Sequence, residues 1–285
     1  MSVLTIAMVT VREVSRRRLV LALLVLSGVA IALTGWGFSR LPGVHNRDGT
    51  LLSPADVNLF SSQLLIFVLF MFSAVLGLGA VMVAAQSVSA EVESGQALAV
   101  LARPVERAEV ILGKWLGLGT LIVMYAAAAT AVEFAVVRWA TGYMPPHPVE
   151  AAAFVAAEGL VLLTLTLCLS VRLSGITAGV IALMLFFITW IAGVAGAVGA
   201  VLNNGAIEAT GTISRLLLPS DGLWRGAVFN MEPTAVVAVA AGSREAAASP
   251  FTSVTAPAGA YIAWAAVWVV AVVALTIVAF RRREL

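Results

Sequence analysis

The sequence predicts an all-α integral membrane protein with about six transmembrane helices. Of its 285 residues, 61% are hydrophobic and only 11% are charged, and the mean hydropathy is +1.03. Soluble domains are far less apolar. The net charge of +2 is too small to indicate binding of nucleic acid. The chain has one cysteine, Cys168, so it forms no internal disulfide bond.

Six apolar runs are long enough to span a bilayer. A hydrocarbon core about 30 Å thick requires about 20 helical residues, so the chain has no room for a large soluble catalytic domain. The expected spans are 19–39, 59–85, 110–137, 151–171, 175–202 and 258–280. The first resembles a signal peptide because arginines precede it, but we expect it to be retained as a span.

Residues 1–18 have the pattern of an amphipathic helix. Apolar side chains recur at near-helical spacing, and charged ones fall on the opposite side. The apolar residues are Leu4, Ala7, Met8, Val11 and Val14, and the charged ones include Arg12, Glu13 and Arg16. We expect a helix that lies in the headgroup region before the first span. The alternative is a basic topology signal without an interface helix.

The distribution of basic residues predicts the orientation in the membrane. One set of loops carries eleven of the 17 Lys and Arg residues, and the other carries six. The eleven are Arg12, Arg16, Arg17, Arg18, Arg103, Arg107, Lys114, Arg172, Arg281, Arg282 and Arg283. Because cytoplasmic loops carry the excess of basic residues, both termini are expected in the cytoplasm of a multi-pass cytoplasmic-membrane protein.

Residues 203–257 separate the fifth and sixth spans and are too long for a simple loop. Their apolar pieces, Ile213 to Leu218 and Thr234 to Ala241, are too short to cross the bilayer. We expect a small external cap of short helices, with Trp224 at the membrane interface. A re-entrant segment is the alternative. No internal repeat is visible, which argues against an inverted-repeat carrier.

Residues 86–109 form the longest polar segment on the cytoplasmic side. Apolar residues recur every three or four positions and predict a short helix with one apolar face; they are Ala97, Leu98, Leu101 and Val105. Pro104 is expected to end that helix. Glu106 and Glu109 are expected in the first turn of the third span, where the helix dipole favours acids.

From Glu91 to Lys114, the segment resembles the membrane permeases of type-2 ABC exporters. In that family the loop has the pattern Glu-x-x-x-Gly-Thr-Leu, then a short apolar helix, Arg-Pro-Val-Ser-Arg, and Gly-Lys before the next span. The matching residues are Glu91, Gly95, Leu101, Arg103, Pro104, Val105, Arg107, Gly113 and Lys114. The chain departs from the pattern with Gln96 for Thr and Glu106 for Ser. With the interface helix, the six spans and the cap, the resemblance covers nearly the whole chain.

The resemblance implies a single permease domain, residues 1–285, that works as a dimer with a second copy or a homologue and with ABC ATPase subunits. The 86–109 segment would be the coupling helix seated in the ATPase. The implied coupling residues are Glu91, Glu93, Gly95, Gln96, Leu98, Leu101, Arg103, Pro104, Arg107 and Lys114. This chain would then bind no cofactor, and ATP and Mg would bind to the partner ATPase. An external or membrane accessory protein is left open.

Two acidic residues, Glu133 and Glu158, fall within expected spans, where an unpaired carboxylate is costly. Both are expected toward the outer ends of the third and fourth spans. One interpretation places them on the outer part of the translocation path. The other pairs Glu133 with Arg138 and lets Glu158 reach the outer surface. The histidines His45 and His147 lie in separate loops, so no metal site is expected.

The sequence therefore predicts the permease of an ATP-driven exporter with no catalytic residues of its own. Two alternatives remain, a membrane scaffold or sensor that transports nothing and an ion-coupled secondary carrier. The carrier predicts buried charges near the middle of the membrane, which we do not find in the sequence, and the scaffold predicts no dependence on an ATPase.

Overall fold

The computed structural model describes residues 2–16, 18–45, 48–93, 106–243 and 249–282, with the side chains at 19, 83 and 85–93 left out. These ranges contain ten α-helices and no β-strand. The helices are α1 Val3–Ser15, α2 Arg18–Phe38, α3 Pro54–Glu93, α4 Arg107–Thr141, α5 Pro148–Ser170, α6 Gly175–Val201, α7 Gly205–Leu217, α8 Ser220–Met231, α9 Thr234–Ala241 and α10 Gly259–Arg281. A short 3₁₀ turn, Leu41–Gly43, follows α2.

Six of these helices are long and apolar enough to cross a membrane, which confirms the predicted all-α, multi-pass class. They are α2, α3, α4, α5, α6 and α10. Each contains or closely matches one of the six apolar runs read from the sequence.

Helices α3 and α4 are much longer than a bilayer requires. With 40 and 35 residues, they extend about 60 Å and about 52 Å at about 1.5 Å per residue. Helix α3 continues to Glu93, beyond the span expected to end at residue 85, because no Gly or Pro follows Met82 within it. Glu106 is the N-cap residue of α4, so only Glu109 lies in its first turn.

The core lies among α3, α4, α5 and α6. Leu65, Ile66 and Leu69 of α3 are buried, as are Leu163 and Leu167 of α5. Helices α2 and α10 lie at the periphery, and only 6% and 11% of the residues in their apolar stretches are buried. Their exposed apolar side chains are suited to contact with lipid.

The segment between the fifth and sixth spans contains α7, α8 and α9. Helix α8 packs against α5, and Trp224 is 1% exposed, with its ring centroid 5.4 Å from that of Phe70. The expectation of Trp224 at the membrane interface is therefore wrong. The reason is close packing: a Cβ added at Gly226 would lie 2.6 Å from the ring of Phe154, so only a glycine lets α8 approach the bundle this closely.

Candidate functional site

One end of the bundle brings α1, the first turns of α4 and the end of α10 together, and we call it the coupling end. Helix α4 packs against α1, α3 and α10. The implied coupling residues fall into three groups by what the structure describes of them. Glu91 and Glu93 lie in the last turn of α3, and their side chains are outside the described part. Arg107 and Lys114 lie on α4, and the remaining ones fall outside the described residues, namely Gly95, Gln96, Leu98, Leu101, Arg103 and Pro104.

Arg107 connects the start of α4 to the end of α10. Its Nη1 donates hydrogen bonds to the carbonyl oxygens of Arg281 at 2.9 Å and Phe280 at 3.3 Å. The last carbonyls of a helix lack intrahelical donors and carry partial negative charge. A guanidinium there supplies both the missing donors and a compensating positive charge. The sequence motif contained Arg107 but gave no indication of this partner.

Helix α1 docks on a groove of small residues at the start of α4. A Cβ added at Gly113 would lie 2.6 Å from Cβ of Ile6, and one added at Gly117 would lie 2.7 Å from the carbonyl oxygen of Ala7. Only glycines at these two positions allow α1 to pack this closely. Lys114, between them, is 6% exposed. Spacing of the type Gly-x-x-x-Gly is a known signal of close helix packing, so this contact could have been found in the sequence.

Glu133 lies buried between α4 and α2. Its Oε2 accepts a hydrogen bond from Thr34 Oγ1 at 3.2 Å, and the residue is 1% exposed. Its Oε1 has no hydrogen-bond partner among the described residues. The expected partner Arg138 is therefore wrong, because the carboxylate is directed to α2 instead. The bond to Thr34 connects the peripheral helix α2 to the bundle.

Glu158 lies between α5 and α3. Its Oε2 accepts a hydrogen bond from Ser73 Oγ at 2.6 Å, and the residue is 2% exposed, so it does not reach the outer surface. It is the eleventh of the 23 residues of α5, near the middle of the helix rather than toward its outer end. A buried acid at this depth is the feature that the carrier alternative predicts.

A charged network fixes the short helices of residues 203–257 to α6. Asp221 Oδ2 accepts hydrogen bonds from Arg215 Nε at 2.6 Å and from Arg225 Nε at 3.3 Å. Both arginines also donate from Nη2 to the Gly193 carbonyl oxygen, at 3.4 and 3.3 Å. Burial lowers the pKa of Arg225, and the charge of Asp221 opposes this. The network joins α7 and α8 to one backbone position of α6.

Glu232, at the end of α8, connects that helix to the segment before α10. It accepts a hydrogen bond from the Ser253 backbone N–H at 3.1 Å, and burial raises the pKa of its carboxyl group. Nearby, the Tyr143 hydroxyl donates to the Met231 carbonyl oxygen. The turn after α4 and the segment before α10 are thus both held against α8. Sequence reasoning missed Glu232 because its partner is a backbone N–H 21 residues away. Asp221 could have been found, because it forms an i,i+4 pair with Arg225.

The polar residues described above form contacts between helices. They connect α4 to α2 and α10, α5 to α3, and α6 to α7 and α8. Within the described ranges, no group of three or more His, Cys, Asp or Glu side chains could hold a metal ion.

Comparison with known proteins gives one match. A family model described as "ABC-2 family transporter protein" matches residues 5–285, nearly the whole chain. A search of curated proteins finds no match.

Proposed function

The chain belongs to the ABC-2 family and is a membrane permease subunit of an ABC transporter whose ATPase is a separate subunit; from that premise we propose that it is the permease of an exporter. ATP and Mg bind to the partner ATPase, and hydrolysis there drives substrate outward across the cytoplasmic membrane. The permease works as a dimer, with a second copy or a homologue.

The observation that supports this proposal is the pair of long helices flanking residues 94–105. Helices α3 and α4 extend well beyond the roughly 30 Å that the hydrocarbon core requires. The segment between them contains most of the residues that match the family pattern. In the proposal, the following residues contact the ATPase: Glu91, Glu93, Gly95, Gln96, Leu98, Leu101, Arg103 and Pro104.

Closure of the ATPase subunits on ATP displaces this segment, and α4 carries the displacement into the membrane. A helix transmits displacement along its axis because its backbone hydrogen bonds run in that direction. Arg107 passes the displacement to α10 through its two carbonyl partners. Gly113 and Gly117 pass it to α1 through close backbone contact. Lys114 lies between these glycines in the sequence and is buried, and we assign it to the same junction.

The proposed orientation places the coupling end in the cytoplasm and α7, α8 and α9 outside. The excess of eleven basic residues over six on the other set of loops supports it. An external helical cap would then be available to an accessory protein, which the proposal leaves open.

In this proposal, Glu133 and Glu158, the two acids within spanning helices, hold neighbouring helices together. Both are buried, and each accepts a hydrogen bond from another spanning helix. A role for Glu133 and Glu158 in the translocation path requires that they become accessible in another conformation. Substitution of Glu158 therefore tests the two interpretations against each other.

A carrier driven by ions is the second candidate, because Glu158 is buried near the middle of α5. Reconstitution of the chain into liposomes with its partner ATPase distinguishes the exporter from the carrier. The exporter predicts that accumulation of substrate requires hydrolysable ATP and survives collapse of the ion gradients. Transport that continues without ATP and stops when the gradients collapse would support the carrier.

Transfer of the displacement from α4 to α10 can be tested separately in the same liposomes. Arg107→Gln removes the guanidinium that contacts α10, whereas Arg282→Gln removes an exposed arginine at the end of α10 and serves as the matched control. We expect Arg107→Gln to retain the bound ATPase but to lower the amount of substrate moved per ATP. If both variants transport as the wild type does, Arg107 does not transmit the displacement.

A further inference from the structure

A cavity of about 530 Å³ lies between α2, α3 and α4, near the corner where α1 meets α2. This volume falls within the roughly 300 to 1,000 Å³ typical of small-molecule sites. The cavity opens sideways, because Leu24 and Met124, which line it, are 54% and 64% exposed on the surface of the bundle. A membrane component can therefore enter it from the bilayer.

Among the described residues that line the cavity, three carry polar side chains, Ser15, Ser27 and Tyr125, and each of these is hydrogen-bonded. Ser15 donates to the Arg12 carbonyl oxygen, Ser27 donates to the Leu23 carbonyl oxygen, and the Ser27 and Tyr125 hydroxyls bond each other. A polar ligand would lose its hydration here without gaining a partner, whereas an apolar chain would lose nothing.

The depth of the cavity matches one leaflet of the bilayer. Its lining runs from Val20 to Ile31 on α2, which are eleven residues apart, or about 17 Å at about 1.5 Å per residue. Half of a hydrocarbon core about 30 Å thick is about 15 Å. One acyl chain of a lipid in a single leaflet would fill this length.

Basic residues flank the end of the cavity near α1. Val14 and Ser15 line its end near α1, and the neighbouring Arg16 and Arg18 are exposed. Residues 1–18 contain four arginines and one acid, Glu13, which gives a net charge of +3 from four minus one. Basic side chains at a membrane surface attract anionic headgroups.

We propose that this cavity binds an anionic phospholipid, with one acyl chain between α2, α3 and α4 and its phosphate headgroup beside Arg16 and Arg18. In the orientation proposed above, the lipid comes from the cytoplasmic leaflet. The site depends on the chain being in a membrane and not on the ATPase, so it can be tested even if the exporter proposal fails.

The chain contains a matched pair of positions for the test. Gly28 and Gly37 both lie on α2, and a Cβ added at either meets nothing within 4 Å. Only Gly28 lines the cavity. Gly28→Phe therefore adds a bulky side chain at the cavity wall from a Cβ that meets no neighbour, and Gly37→Phe adds the same side chain elsewhere on the helix. Gly28→Leu is a smaller filler in case the larger one does not fold.

The experiment uses the full chain in nanodiscs and a phospholipid with a photoreactive group on one acyl chain, in anionic and zwitterionic forms. We expect the anionic lipid to label peptides of α2 and α4 that line the cavity. Labelling should fall strongly in both Gly28 variants and remain unchanged in Gly37→Phe. Equal labelling in the Gly28 variants and the wild type would overturn the site.

A second comparison tests the headgroup contact. Arg16→Gln with Arg18→Gln should lower the preference for the anionic over the zwitterionic lipid, by about fivefold for each arginine. Arg282→Gln, an exposed arginine that does not adjoin the cavity, should leave it unchanged. Equal labelling by the two lipids in the wild type would show that the cavity takes any acyl chain, which would contradict anionic selectivity.

Discussion

Substitution of Gly193 by alanine tests how the short helices between the fifth and sixth spans are fixed to α6. A Cβ at this position would lie 2.1 Å from Asp221 Oδ2 and 2.4 Å from its Cγ. Real Cβ atoms essentially never approach within 3.0 Å of another atom. The carboxylate must therefore move by at least 0.9 Å, the difference between 3.0 and 2.1 Å.

The expected cost follows from what that movement breaks. Asp221 Oδ2 accepts the hydrogen bonds of Arg215, at 2.6 Å, and Arg225, at 3.3 Å. Overpacking in a close-packed interior costs about 1 to 3 kcal/mol, and weakening a hydrogen bond to a charged group adds to this. We expect Gly193→Ala to lower the free energy of unfolding by about 2 to 3 kcal/mol. By the size scaling of large domains, Tm should fall by about 4 to 10 °C.

The assay is thermal unfolding of the purified protein in one fixed detergent, arranged as a double-mutant cycle. Asp221→Ala should destabilise strongly by itself, because it leaves two arginines without their carboxylate. Adding Gly193→Ala to Asp221→Ala should then cost little, since the clashing atoms are gone. Gly205→Ala, where an added Cβ meets nothing within 4 Å, is the control and should not lower Tm. Additive costs of the two substitutions would refute the reasoning.

Three further outcomes are expected. Glu158→Gln can still accept the Ser73 hydrogen bond, so stability and ATP-driven transport in liposomes should be retained; normal folding with loss of transport would favour the translocation-path interpretation. Burial holds the pKa of Glu232 in the folded protein above its value in the unfolded chain. The folded state therefore binds the carboxyl proton more tightly, and the wild type loses stability as pH rises from the unfolded pKa through the folded pKa. Glu232→Gln should therefore become more stable relative to the wild type with rising pH, and a constant difference in Tm would contradict the shift. Gly117→Leu should displace α1 and speed its cleavage in limited proteolysis. Gly37→Leu, where an added Cβ meets nothing within 4 Å, is the control, and equal cleavage rates would exclude the docking groove.

Much of the fold could be predicted from the sequence because bilayer thickness constrains it. Spans require about 20 apolar residues, and the six runs confirmed as helices stand out from the charged and Pro-containing segments between them. Residues 1–18 show their amphipathic pattern directly, and α1 lies where that pattern predicts a helix. The family resemblance rested on Glu91 to Lys114 and agrees with the family match over residues 5–285.

The partners of buried polar residues could not be predicted in the same way. Glu133 has an arginine five positions away, yet it bonds Thr34, which is 99 residues distant in the chain. Tryptophan is a residue type common at membrane interfaces, which is why Trp224 was expected there. Glycines in its helix instead allow α8 to pack against the bundle. Such contacts depend on which helices become neighbours, and hydropathy carries no information about that.

The most direct test of the central claim is capture and coupled turnover of the partner ABC ATPase. Wild type is compared with the double variant Glu91→Ala, Gly95→Trp, in co-purification and in ATP hydrolysis after reconstitution, and Arg282→Gln is the control. The account predicts that wild type and Arg282→Gln capture the ATPase and that the double variant loses capture or coupled turnover. A double variant that behaves as the wild type, or a wild type that binds no ATPase, would contradict the proposed coupling role.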